Sequence, residues 1–122
     1  VLTGKYLPGK KAPAGSRATD KKGGANMISR WIDDSVLSAV QKLLPIAKDC
    51  SLTMGQLSLA WVLQNENVSS AIVGATKPAQ LKENVKAAGV KLDSATLKAI
   101  DQAIGAVAEK DPSKTVSPKP RA

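Results

Sequence analysis

Residues 68–75 read Val-Ser-Ser-Ala-Ile-Val-Gly-Ala, and no other run in the 122 residues has this character. It is short, β-branched at its centre and closed by glycine, which predicts a strand. Apolar Ile72 and Val73 stand side by side, as in strands covered on both faces. A buried strand has N–H and C=O groups on both edges, and each needs a partner. With no second strand in the chain, the sheet must come from elsewhere. Either other residues of the same protein supply it, or a second polypeptide does.

The sequence on either side of this run predicts helices. Upstream, Thr53-Met-Gly-Gln56 has the form of a capping box and opens a helix through Leu57, Leu59, Ala60, Trp61 and Leu63. Apolar on most sides, that helix belongs between layers. Earlier still, Val36, Leu37, Val40, Leu43, Leu44 and Ala47 recur at helical spacing, with a kink or break expected at Pro45. Downstream, a helix is expected from Pro78 past Leu81 and Val85 to Ala88, since proline suits a first helical position. Asp93 then caps a last helix, flanked by Leu92 and Leu97 in staple spacing, with Ile100, Ile104 and Val107 continuing the stripe. Residues 8–26, rich in Pro, Gly, Lys and Ala, read as a long loop. Residues 1–110 form the ordered segment, and 111–122 are expected to be a disordered basic tail.

Composition removes whole classes of chemistry. There is no His and a single Cys, so a Ser-His-Asp triad, His ligation, a disulfide and a thiolate zinc site are all excluded within the chain. Cys50 falls at a helix end and reads as an inert small residue. The net charge of +8 invites a nucleic-acid reading, but its distribution argues otherwise. Lys5, Lys10, Lys11, Arg17, Lys21, Lys22 and Arg30 face only Asp20 in residues 1–30, whereas residues 31–107 are neutral. The excess lies in polar arms without interleaved aromatics, which favours a solvated arm over a base-stacking surface. No apolar run approaches the roughly 20 residues that cross a bilayer, and no leader pattern opens the chain. A cytoplasmic protein that binds neither nucleic acid nor membrane is expected.

Four segments together resemble the aldo-keto reductases, including their potassium-channel β-subunit-like branch. They are Leu2-Thr-Gly-Lys-Tyr6, Gly15-Ser-Arg17, Gln56-Leu-Ser-Leu-Ala-Trp61, and Ile72-Val-Gly-Ala-Thr76 followed by Gln80-Leu-Lys-Glu-Asn84. The match runs in order over about residues 1–107. It implies the C-terminal part of a (β/α)8 TIM barrel, mostly helical here, with residues 70–74 as the single clear barrel strand. The helix through Trp61 then becomes the seventh barrel helix and that from Gln80 to Ala88 the eighth, with the last helix a C-terminal extension. The strand's neighbours would lie in an N-terminal part of the barrel, the partner this resemblance implies.

The resemblance also implies NADPH as cofactor and assigns it Lys5, Gly15, Arg17, Gly74, Thr76, Gln80, Glu83 and Asn84. Lys5 and Arg17 match positions that meet the phosphates and adenosine, where cations offset anionic oxygens. Gly15 stands where the channel-subunit branch has an aromatic against the nucleotide. Gly74 and Thr76 form a small turn at a helix N-terminus suited to a 2′-phosphate. Gln80, Glu83 and Asn84 follow at i, i+3 and i+4 on one helix face, for the 2′-phosphate and the adenine amine. Taken singly, each of these is an ordinary loop or first-turn residue. Tyr6 and Lys5 do not form a catalytic pair, because neighbours in an extended loop point apart. Trp31 and Trp61 read as packing residues. The family's Tyr, Lys, Asp and His match nothing here, and no metal ligand is expected. The implied activity is NADPH-dependent reduction of a small aldehyde or ketone by the intact protein. The alternative is an NADPH-sensing regulatory subunit of the channel-β kind.

Overall fold

A computed structural model describes residues 1–109 and 111. The proposed tail therefore lies outside the described residues, apart from Asp111. Six helices follow one another: α1 (Gly24–Ile28), α2 (Asp34–Gln41), α3 (Leu43–Asp49), α4 (Met54–Leu63), α5 (Pro78–Val85) and α6 (Ser94–Ile104). Single 3-10 turns lie at Arg17–Thr19 and Ser29–Trp31.

The caps read from sequence set three of these helices. The Thr53 hydroxyl accepts the Gln56 N–H at 3.2 Å, and Gln56 Oε1 accepts the Thr53 N–H at 3.0 Å, closing both halves of the capping box of α4. Asp93 Oδ1 accepts the Thr96 N–H at 2.7 Å and starts α6; that bond holds its carboxyl below the usual aspartate range. Pro78 is the first residue of α5.

The break near Pro45 falls three residues earlier than the sequence suggests, at Lys42 between α2 and α3. Pro45 becomes the third residue of α3, where an N–H would have no partner inside the helix anyway. The interruption is thereby moved ahead of the proline. Helix α5 stops at Val85 rather than Ala88. Residues 86–88 tighten into i→i+3 bonds, from Lys86 to Glu83, Ala87 to Asn84 and Ala88 to Val85, before Gly89 turns away at φ 79°.

Helices α2, α3, α4 and α6 enclose the core. Val40, Leu43, Ala47, Met54, Leu57, Ala60, Leu92, Ile100 and Ile104 are buried there, and Leu2, Trp61, Leu97 and Val107 pack around them. Leu57 and Ile100 are the largest fully buried side chains. Helix α5 hangs from α4 at the edge of this cluster and buries none of its own residues.

The expected strand is not found. Among the described residues there is no strand, and residues 70–75 run without regular structure from α4 toward α5. Ile72 is wholly exposed and Val73 is more than a third exposed, with Leu81 and Val85 of α5 uncovered nearby in sequence. The reason is the one that made the segment informative: a strand exists only as part of a ladder, and nothing among the described residues offers a second edge.

Candidate functional site

The loop that reads as Pro/Gly/Lys-rich is held at a few defined points. Tyr6 is 3% exposed, and its hydroxyl accepts the Ala18 N–H at 3.3 Å across twelve residues of chain. Gln41 of α2 donates to the carbonyls of Gly4 and Tyr6 at 3.0 and 3.2 Å, fixing the segment that carries the ring. Lys5 lays its ammonium over the Tyr6 ring, 5.2 Å from the centroid. Asp20 then accepts the N–H groups of Lys22 and Gly24 and turns the loop into α1. The loop therefore contains a 3-10 turn and a short helix. Tyr6→Phe is expected to lower the stability of the intact protein by about 0.5–1.5 kcal/mol, the net worth of one hydrogen bond. Urea titration measures it, and no change would show that the Ala18 amide has another partner.

This anchoring brings Arg17 to the turn before α5. A guanidinium nitrogen lies 3.9 Å from where a Cβ on Gly74 would stand, so a side chain there would meet the arginine. Arg17 thus places positive charge beside Gly74, and Lys5 is exposed.

At the start of α5 the Gln80 side chain bends back. Its Oε1 accepts the Thr76 N–H at 2.8 Å, the Thr76 hydroxyl at 3.1 Å and the Lys77 N–H at 3.2 Å. Two backbone donors that the sequence reading left open to a ligand are met by this amide oxygen. Glu83 turns the other way, toward α4. Its Oε2 accepts Gln56 Nε2 at 3.1 Å, its carbonyl accepts the same group at 3.2 Å, and Oε1 pairs with Lys86 at 2.6 Å. Asn84 is half-buried beside it. The three side chains expected on one face thus divide: Gln80 serves the helix start and Glu83 bridges to α4.

Gly15 takes no part in this cluster's contacts. It sits at φ 69°, with no atom within 4 Å of a Cβ position. Next to it Ser16 is 8% exposed, and its hydroxyl finds no partner among the described residues. Ser16, Tyr6 and Gln56 lie in the matched segments, Gln56 also as a cap and Tyr6 also as a rejected acid, but sequence reading assigns none of them a site role. Trp61 is half-buried against the core, whereas Trp31 is exposed and stacks only under the Arg30 guanidinium at 4.7 Å. Cys50 closes α3, with its sulfur 3.8 Å from the Thr96 hydroxyl. Among the described residues no cluster of His, Cys, Asp and Glu could hold a metal ion, and no helix is long and apolar enough to cross a membrane.

The arrangement as a whole suits an anionic, phosphorylated ligand with a hydrogen-bonding base. Residues 1–105 match the model of the aldo/keto reductase family. A probable voltage-gated potassium channel subunit beta of Arabidopsis thaliana is 44% identical over 90 residues, covering 74% of this chain and 27% of the relative. Its counterpart in Oryza sativa subsp. japonica is 41% identical over 117 residues, 96% of this chain and 34% of the relative. A putative subunit of the same name in Schizosaccharomyces pombe is 41% identical over 105 residues, 84% of this chain and 30% of the relative. The chain thus spans about a third or less of the length of the relatives it matches.

Proposed function

This chain belongs to the aldo/keto reductase family, and from that premise we propose that it is the cofactor-binding part of an NADPH-dependent oxidoreductase that reduces aldehydes or ketones. The observation that carries the proposal is the convergence of Arg17 on Gly74 at the start of α5, where Thr76 and Gln80 are joined. The residues present fit a phosphorylated dinucleotide. Lys5 and Arg17 are exposed cations, and Arg17 stands beside a glycine that admits close backbone approach. The Ser16 hydroxyl between Gly15 and Arg17 is a buried donor without a partner among the described residues.

In this reading Lys5 and Arg17 offset phosphate charge, Arg17 with a planar fork suited to the 2′-phosphate. Gln80 and Asn84 border the adenosine, and Glu83 accepts from the adenine amine. Gly15 contributes backbone only. NADPH, when bound, supplies the hydride. The proton donor comes from the rest of the protein, since the family's Tyr, Lys, Asp and His match nothing in these residues and the chain has no His at all. The remaining part of a (β/α)8 barrel is then the obligatory partner, and a cytoplasmic location belongs to the same proposal.

A second reading draws on the relatives' names. The three cited above are described as potassium channel β subunits. This reading makes the intact protein an NADPH-sensing regulatory subunit. Aldehyde-dependent NADPH oxidation by the intact protein supports the enzyme; tight cofactor binding without turnover supports the sensor.

Both readings share the cofactor test. Arg17→Ala in the intact protein is expected to weaken NADPH binding by about 1–3 kcal/mol, since it removes the partner of an ionised group. NADH binding should be nearly unchanged, and wild type should prefer NADPH by at least about one order of magnitude. Fluorescence titration decides it. Equal binding of the two cofactors, or equal weakening of both by the substitution, would remove this cluster from the 2′-phosphate.

A further inference from the structure

Gln56 does more than its place in the capping box requires. At the third position of a capped helix either Glu or Gln can accept the N-cap N–H. Gln56 meets that need with Oε1 alone. Its other half, the amide nitrogen, points across to α5 and donates twice to one residue, to the Glu83 carbonyl and to Glu83 Oε2. A glutamate at position 56 would keep the cap but could not make these bonds. Gln56 is 7% exposed, so its end of the bridge is withdrawn from solvent while Glu83 remains half-exposed.

The other hold on Glu83 is of a different kind. Lys86 pairs with Oε1, yet its side chain is 63% exposed and that of Glu83 is 48% exposed. Such surface pairs are mobile, screened by salt and worth little. The contact with Gln56 is the more enclosed of the two.

We infer that Gln56 positions the Glu83 carboxylate for the amine of the cofactor's adenine, and so sets base specificity from a neighbouring helix without touching the base. The inference rests on the assignment of Glu83 proposed above. With Oε2 held by Gln56, the carboxylate retains free lone pairs for an amine donor. Freed from Gln56, it would sample other rotamers, and ordering it again would weaken binding.

The test uses the intact protein and two cofactors, NADPH and its hypoxanthine analogue, in which a carbonyl replaces the adenine amine. Wild type is expected to prefer NADPH by about tenfold, the loss of one hydrogen bond to a charged acceptor. Glu83→Ala should abolish that preference. Gln56→Glu, which preserves the cap and sets a like charge against Glu83, should reduce it to less than about twofold. The preference for NADPH over NADH should persist in this variant, because Arg17 is untouched. The exchange Gln56→Glu with Glu83→Gln restores one donor–acceptor pair and should raise the adenine preference to about three- to fivefold, short of wild type because a neutral acceptor holds the amine less tightly than a carboxylate. It also serves if the single variant folds poorly.

Lys86→Ala should leave the preference within about twofold of wild type, as for an exposed pair. If Gln56→Glu keeps the full preference while Glu83→Ala loses it, Gln56 is only a cap and the inference is overturned. If wild type does not distinguish the two cofactors, the Glu83 assignment fails and takes the inference with it.

Discussion

A polypeptide of these 122 residues, mixed with NADPH and an aldehyde, is expected to consume no cofactor above the blank. Reduction by the family's mechanism needs a tyrosine whose hydroxyl can reach the carbonyl oxygen, and this chain has one tyrosine. Tyr6 is buried, its hydroxyl accepts the Ala18 amide, and its ring lies under Lys5. It is a loop anchor with no open face. General acid catalysis contributes about 10²–10⁴-fold, and geometry comes before acidity in identifying the acid. The chain alone should show helical circular dichroism with little cooperative melting, since α5 and the segment before it bury almost nothing. Absorbance at the NADPH band, followed with and without carbonyl, is the measurement. Carbonyl-dependent oxidation by this polypeptide would overturn the proposal that the chemistry lies outside it.

The second large effect concerns a residue with nothing around it here. Ile72 is wholly exposed, yet in the proposed barrel it belongs to a strand with neighbours on both sides. In the intact protein Ile72→Ala is therefore expected to cost about 2–5 kcal/mol, the range for truncating a buried aliphatic side chain. Leu57→Ala should cost a similar amount, because Leu57 is 1% exposed within this chain already. Urea unfolding of both variants gives the comparison. A loss below about 0.5 kcal/mol at Ile72, the scale of a surface substitution, would mean that residues 70–75 stay at the surface of the whole protein. A strand there could then not be maintained. The pair separates burial that this chain creates from burial that only its partner could create.

What could be read from sequence divides along the range of the interactions. Thr53, Gln56, Asp93 and Pro78 act within four residues of their own positions, and the helices they start are where the pattern puts them. The strand at 68–75 was legible as a propensity and as a demand for neighbours. Its absence here follows from the demand going unmet. The stop of α5 at Val85 depended on how three successive bonds tighten before Gly89, which periodicity does not register. In the candidate site, the motif order named Arg17, Gly74, Thr76 and Gln80, and the structure adds that Arg17 reaches Gly74. It could not show that Gln80 would fold back onto Thr76 and Lys77. The bridge from Gln56 to Glu83 spans 27 residues, and it depends on which half of an amide faces which helix. Such information exists only in three dimensions.

The loop that delivers Arg17 also bears on how fast a ligand arrives. Lys10, Lys11, Lys21 and Lys22 are exposed along it, and the acid among them, Asp20, is engaged with backbone N–H groups at the entry to α1. A one-sign field of this kind raises the local concentration of an oppositely charged molecule and speeds diffusional encounter. At physiological ionic strength the field fades over about 8 Å, so the lysines act on an anion only as it nears the loop itself. Their contribution lies in the association rate and in its decline with added salt. Under the proposed function, the dissociation rate is left to Arg17 and the groups around Gly74.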